Sequence, residues 1–277
     1  MDIDRLVIAK PSGNITALIF DEIEADELPA VSTWVQNEFP SVEQVLFVQN
    51  TIHGVHGQMA GGEFCGNAAR SLGYVLSNGR EARQTFTMSG ISRPVAVETS
   101  LGRSKLGIQT DIKRENLFLK GEAVPVVHME GISHVVLFTG CSSFYPLKEQ
   151  AAKFGGEIVV QEVLDVLGLT LLPACGLLFV EADDDLISLT PYIFVRDTGK
   201  LCRETACASG SMAAAYMLEK DLDIHQPSNE SLHVSIKRDG HTVKAEVDGV
   251  ISILWDGAVD DIGEPNLLRQ TTRCVSI

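Results

Sequence analysis

One pattern occurs twice in this chain, and it limits the fold more than any other feature. Cys65-Gly66-Asn67-Ala68-Ala69 runs on to Tyr74 and Leu76, and Cys207-Ala208-Ser209-Gly210-Ser211 runs on to Tyr216 and Leu218. In each copy the tyrosine follows the cysteine by nine residues and the leucine by eleven. A second pair repeats in the same order. Gly13 to Phe20 precedes the first cysteine and Gly131 to Phe138 the second, each a turn followed by an apolar strand. Both pairs in one order point to an internal duplication, with one cysteine in each half. A chain of 277 residues is long for one domain and comfortable for two of about 100–150.

The runs after the two cysteines are rich in Ala, Leu, Met and Tyr and read as helices, so each thiol is placed at a helix N-terminus. Unpaired N–H groups and the positive end of the helix dipole stabilise an anion there. A thiol pKa can fall in such a place to about 3.5–7.5, which would make each cysteine a base or a nucleophile. If the halves face each other across a pseudo-two-fold cleft, the two thiols converge. A carbon acid between them could lose its proton to a thiolate on one face and regain one from a thiol on the other, inverting a stereocentre. The same helix ends could hold a substrate carboxylate through the N–H groups near Gly66, Asn67, Ala208 and Ser209. This scheme needs no cofactor and no metal.

Strands dominate the remaining pattern. Residues 6–10, 16–20, 44–49, 84–88 and 95–98 read as strands in the first half, with helices at 28–38 and 67–77. In the second half the strands are 124–128, 134–139, 175–181, 187–195, 232–237, 242–247 and 250–255, and the helices 146–154, 159–167 and 208–220. Turns at Arg238-Asp239-Gly240 and Val247-Asp248-Gly249 predict antiparallel hairpins. The lack of regular strand–helix alternation weakens a Rossmann or barrel reading of the α/β type.

Composition excludes some partners. With 37 acidic against 22 basic residues the formal charge is −15, and no Lys/Arg run offsets it, so neither nucleic acid nor an anionic membrane is expected. No apolar stretch is long enough to span a bilayer. The N-terminus has no signal-peptide pattern, so a cytoplasmic location is expected. In a reducing compartment the six cysteines would be thiols, with Cys141, Cys175, Cys202 and Cys274 as small buried apolar residues.

Three segments, Lys10-Pro11-Ser12-Gly13-Asn14, Glu63-Phe64-Cys65-Gly66-Asn67-Ala68-Ala69-Arg70 and Glu204-Thr205-Ala206-Cys207-Ala208-Ser209-Gly210, resemble the signatures of the diaminopimelate epimerase family, the pyridoxal-phosphate-independent amino acid racemases. The resemblance implies an α/β (α+β) fold of two pseudo-symmetric domains, each a curved, mainly antiparallel sheet around a central helix. Residues 1–116 with 264–277 would form the domain carrying Cys65, and 117–263 the domain carrying Cys207. Cys65 and Cys207 fall on the family's catalytic base and acid positions. Asn14 falls on a substrate-contacting asparagine and His134 on the histidine of a Gly-Asn-Pro-His segment, and the resemblance also gives Glu204 a substrate role. The implied partner is a small amino acid, and a homodimer is one assembly such a chain could adopt.

Departures from that pattern bear on the substrate. Gly131-Ile132-Ser133-His134 puts an apolar residue where a polar contact is expected, and Thr198-Gly199 stands where an epimerase would carry Glu-Arg. A site without partners for a second amino acid headgroup would hold diaminopimelate poorly. Pro11 to Thr16, Glu43-Gln44-Val45, Glu63 to Ala68 and His225-Gln226-Pro227 are instead similar to the histidine racemases that supply D-histidine to nicotianamine-like metallophores such as staphylopine. In that setting Glu43 could pair with the imidazole or the α-amino group, or stand as a solvated strand-end carboxylate. His53-Gly54-Val55-His56 has no third ligand nearby and is expected to be a loop, and Ser209 and Ser211 lack a nucleophile elbow. A diaminopimelate epimerase, a phenazine-biosynthesis-like isomerase and a non-catalytic amino acid binding module remain as alternatives.

Overall fold

The computed structural model describes residues 3–183, 186–239 and 242–262, together with the backbone of 274–276. Of the C-terminal stretch assigned above to the first domain, most lies outside the described residues. The first half runs β1 (Leu6–Pro11), β2 (Thr16–Ile19), α1 (Leu28–Glu38), β3 (Gln44–Thr51), β4 (Gly54–Met59), α2 (Gly66–Leu76), β5 (Ala82–Met88), β6 (Val95–Ser100) and β7 (Arg103–Leu119). The second half repeats that order: β8 (Glu122–Met129), β9 (Ile132–Phe138), α3 (Phe144–Phe154) and α4 (Gly156–Val166), then β10 (Ala174–Asp183), β11 (Leu186–Val195) and a short added β12 (Lys200–Arg203). It continues through α5 (Ala208–Leu218), β13 (Leu222–His225), β14 (Ser231–Asp239) and β15 (Thr242–Gly257), and β16 (Cys274–Ser276) pairs with β12.

All strand pairings among the described residues are antiparallel except β2–β3, β4–β5, β9–β10 and β11–β13. These exceptions fall at equivalent places in the two halves, because each parallel pair is bridged by a helical crossover. The strands close into two rings that share β7 and β15. One ring is β1 to β6 with β7 and β15, and the other is β8 to β11, β13 and β14 with the same two strands. Arg103 to Asp111 of β7 pair with Val250 to Thr242 of β15. Beyond that crossing, the far end of β7 pairs with β8, and the far end of β15 with β1. Each half thus lends a strand end to the other's ring.

Both faces of many strands are covered, which is why they read as nearly continuous apolar runs. Val7, Ala9 and Leu18 face the ring interior around α2, while Leu6, Ile8, Ala17 and Ile19 pack outward beneath α1. In the second half Val136, Leu178 and Val180 face inward, and Val135, Leu137, Leu177 and Phe179 pack outward against α3 and α4. A helix inside an eight-stranded ring needs small side chains, since such a ring is only wide enough to be filled by its own residues. In α5 the buried positions include Ala208, Ser209, Gly210, Ser211, Ala213, Ala214 and Ala215. In α2 a methyl group on Gly73 would lie 2.4 Å from Val97 Cβ of the ring wall.

Three expectations fail against this fold. Val247-Asp248-Gly249 is no turn but the middle of β15. Its glycine is needed for approach, because a Cβ there would lie 2.4 Å from Ser12 Oγ and 2.8 Å from Arg70 Nη2. His53 to His56 is not a loop throughout: β4 begins at Gly54, its alternation hidden by glycines, and His56 hydrogen-bonds Thr87 and Gln58. Cys202, expected as a thiol, is disulfide-bonded. Its backbone partner across the β12–β16 ladder is Cys274, whose side chain lies outside the described residues. Cys175 is a buried free cysteine as expected, and Cys141 is free but only partly buried.

Candidate active site

Cys65 and Cys207 are the N-cap residues of α2 and α5, both in extended conformation. Each sulfur accepts a backbone N–H three residues on, from Ala68 and from Gly210, both at 3.4 Å. The two helices meet end to end. A methyl group on Gly66 would lie 2.9 Å from Ala208 Cβ and 3.3 Å from Leu106 Cδ2, so only glycine permits this approach. Between the helix ends lies a cavity of about 20 Å³, whose wall includes both cysteines, Gly66, Asn67, Ala208, Ser209 and Glu204. It adjoins a second cavity of about 40 Å³ reaching toward Gln36, Glu43 and Lys200. Gln44, Glu63, Ile193, Val195 and Glu204 line both.

A set of hydrogen bonds crosses from the first half to the segment just before Cys207. Asn67 Nδ2 and Asn14 Nδ2 both donate to the Ala206 carbonyl, at 2.9 and 3.3 Å. Glu43 accepts from Asn14 Nδ2 and from the Thr205 N–H, each at 2.9 Å, and from the Thr205 hydroxyl at 2.5 Å. The Gln44 amide donates to Glu204. Behind Cys207, Gln226 accepts the Cys207 N–H at 3.0 Å and donates to Ser211. Behind Cys65, Arg70 is fully buried and ties α2 to both shared strands, donating to the Ser104 and Val250 carbonyls. Burial lowers its pKa to about 10, so it stays charged at neutral pH.

The thiols are not depressed in pKa as helix ends alone would suggest. Burial pushes both well above the ordinary thiol value, the nearby Glu204 charge adds to it, and the N-terminal N–H groups offset only part of the rise. Desolvation here outweighs the dipole. Burial likewise raises Glu43 to about 8, with Glu204 adding by charge, and raises Glu204 to about 7. Glu204 also accepts a hydrogen bond from the Cys207 thiol. His134 is held neutral, its pKa lowered to about 3 by burial. Its Nε2 meets Ser209 Oγ at 3.1 Å, and Ser209 Oγ lies 3.5 Å from Cys207 Sγ.

Among the residues singled out from sequence, Cys65, Gly66, Asn67, Glu204, Cys207, Ala208 and Ser209 thus share one cavity wall. Asn14, Glu43 and His134 stand behind it: Asn14 and Glu43 as cross-cleft ties, His134 through Ser209. Sequence reading gave no role to the wall residues Gln44, Glu63, Phe64, Ile193 and Val195, although Gln44 and Phe64 stood inside segments singled out for their resemblance. Glu63 stood inside a quoted motif, two residues before the cysteine. Ile193 and Val195 carried no signal beyond an apolar strand.

Two closed rings, each around a helix and sharing one cavity between the helix ends, are an architecture of the pyridoxal-phosphate-independent amino acid racemases, and the chain is an isomerase of that class. Its nearer kinship is narrower. The chain belongs to the histidine racemase CntK N-terminal domain family, whose model matches residues 5–259. It is 30% identical over 261 residues to the histidine racemase of Fusobacterium nucleatum subsp. nucleatum, across 90% of this chain and 93% of that protein. Among solved structures it is similar to a predicted epimerase from Pseudomonas aeruginosa, with a TM-score of 0.63 and 15% identity over 92% of this chain and 99% of that one. It is also similar to a probable proline racemase from Agrobacterium radiobacter K84 with bound carbonate, with a TM-score of 0.58 and 10% identity over 96% and 95% of the two chains. At such identities the likeness is one of fold. Among the described residues no helix is long and apolar enough to cross a membrane, and no group of three potential metal ligands occurs.

Proposed function

We propose that this chain racemises free histidine by exchanging the α-proton between Cys65 and Cys207. The observation that carries this reading is the placement of both thiols, as N-caps of the two central helices, in the wall of one small cavity. A cavity of about 20 Å³ has room for roughly one water, so substrate entry requires the halves to part. The substrate carboxylate would then lie on the N–H groups of Gly66, Asn67, Ala208 and Ser209, where two helix dipoles favour negative charge. Their field matters most in the transition state, when charge from the α-carbon spreads onto that carboxylate.

Glu204 is positioned to receive the α-ammonium. An ammonium there would offset the carboxylate charge that now raises both thiols, leaving the helix N-termini to favour a thiolate. The proton balance is simple. One sulfur, as thiolate, takes the α-proton and becomes a thiol. The other, as thiol, delivers its proton to the opposite face and becomes a thiolate. The enzyme emerges poised for the reverse direction. Asn14, Glu43 and Asn67 hold the segment preceding Cys207 in register, and neutral His134 orients Ser209 beside that sulfur. D-histidine made this way would serve metallophore assembly, as the resemblance to such racemases implies.

Chiral chromatography of the standard L-amino acids and both diaminopimelate isomers, incubated with the protein, tests the reading. L-Histidine should show the highest specificity constant. A higher value for LL-diaminopimelate would overturn the choice of substrate, and no racemisation of any amino acid would overturn the activity.

A further inference from the structure

The cavity between the thiols carries one more anionic group than a plain amino acid can use. Among the described residues its wall holds two carboxylates, Glu63 and Glu204, and no lysine, arginine or histidine, the nearest cation on these cavities being Lys200 in the adjoining one. A zwitterionic amino acid brings one carboxylate, taken by the helix ends, and one ammonium, taken by Glu204. Glu63 is left over, met by backbone N–H groups but by no cation on this wall among the described residues, and a buried carboxylate without a counter-charge is costly.

Glu63 is also held in place by its own loop. The Gly61 N–H donates to its Oε2 at 3.0 Å, and its backbone carbonyl accepts the Ser89 hydroxyl at 2.8 Å. A methyl group on Gly61 would sit 2.9 Å from that same Oε2 and 2.5 Å from Val195 Cγ1. The carboxylate is therefore folded back against a glycine and beside Val195, in a wall to which Ile132 and Ile193 add further apolar surface. A flat ring carrying a single N–H suits such a place. A second amino acid headgroup, as in diaminopimelate, suits it less: its ammonium could meet Glu63, but its carboxylate would find no cation on this wall among the described residues.

We propose that Glu63 is the specificity-determining residue, its carboxylate accepting a hydrogen bond from the imidazole ring N–H of the substrate while Ile132, Ile193 and Val195 flank the ring. This deepens the reading of the chain as a histidine racemase and rests on it. The carboxyl, raised to about 7 mainly by burial, and an imidazole of ordinary pKa near 6.5 are closely matched. The pair can hold its proton on either partner and remain hydrogen-bonded.

The test compares L-histidine with L-β-(pyrazol-1-yl)alanine, a ring isostere that has no ring N–H, in wild type, Glu63→Gln and Glu63→Asp, after each melting curve shows a folded protein. Wild type should prefer histidine by about a hundredfold or more in kcat/KM, because a site built for a hydrogen bond rejects an analogue lacking it. Glu63→Gln should lower that preference by about tenfold, through a rise in KM for histidine larger than any change seen with the pyrazole substrate. Glu63→Asp, which keeps the charge, should retain more of the preference than the glutamine variant. An unchanged preference in both variants, with histidine still racemised, would overturn the inference alone. Failure of wild type to racemise histidine would overturn both it and the function proposed above.

Discussion

The contact between the two helix ends makes Gly66→Ala the most informative single substitution. Its new methyl would lie 2.9 Å from Ala208 Cβ, whereas carbon atoms rest about 3.5–4.0 Å apart. Neither Cβ can rotate away, so the helix ends must separate by about 0.6–1.1 Å. A misplacement of about 1 Å can cost roughly 10²-fold in rate, and that is the expected loss in kcat for histidine. Overpacking should cost about 1–3 kcal/mol of stability, small enough for the variant to fold. Ala208→Gly removes the opposing methyl. The double variant should therefore regain most of the lost rate, giving a coupling energy of about 1–3 kcal/mol in a double-mutant cycle. Racemisation followed by chiral chromatography, with melting curves alongside, reads both quantities. Wild-type turnover in Gly66→Ala, or no recovery in the double variant, would refute the claim that this contact sets the spacing of the thiols.

The cross-cleft role of Glu43 predicts that Glu43→Ala, which strands the Thr205 N–H and hydroxyl, costs about 2–6 kcal/mol. Glu43→Gln can still accept from Asn14 and Thr205 and should stay within about 1 kcal/mol of wild type in urea unfolding. Should the glutamine variant fold normally yet lose histidine turnover, the carboxylate meets the substrate itself. Stability should also fall as pH rises. Burial raises the carboxyls of Glu43, Glu63 and Glu204 to about 8, 7 and 7 from an ordinary 4.5, so the folded state holds more protons between those values and stability falls from about pH 4.5 until it levels off above about pH 8. His134, lowered to about 3, works in the opposite sense below its unfolded value of about 6.5. Melting temperatures measured from about pH 6.5 to 8 lie above the ordinary histidine value and isolate the carboxylates, and a flat or rising curve over that range would contradict their raised values.

Much of this fold can be read from the chain because the duplication is chemical as well as geometric. Cys65 and Cys207 head their helices, α1 occupies the residues its apolar spacing predicts, and Gly13 to Phe20 and Gly131 to Phe138 lead into equivalent strands. The shared strands are harder to see. The inward side of β7 carries Ser104 and Thr110 as well as Leu106 and Ile108, which blurs its alternation. In β15, Gly249 imitates a turn because Arg70 and Ser12 crowd that backbone. The sequence also favours low-pKa thiols, since helix ends are legible and burial is not. What raises Cys65 and Cys207 is the closure of two halves more than a hundred residues apart, together with Glu204. Ile193 and Val195 reach the cavity through the same closure, so no local pattern marks them.

In the proposed reaction two different sulfurs serve the two faces of one carbon. Racemisation of L-histidine in heavy water, stopped early, tests it most directly. A proton taken by one thiolate and replaced from the other thiol should give D-histidine carrying deuterium at the α-carbon, while the recovered L-histidine remains protiated. Cys65→Ser and Cys207→Ser should each abolish formation of the D-isomer. Equal early labelling of both isomers, or transfer of the original proton into D-histidine, would show a single base at work and rule out exchange between two sulfurs.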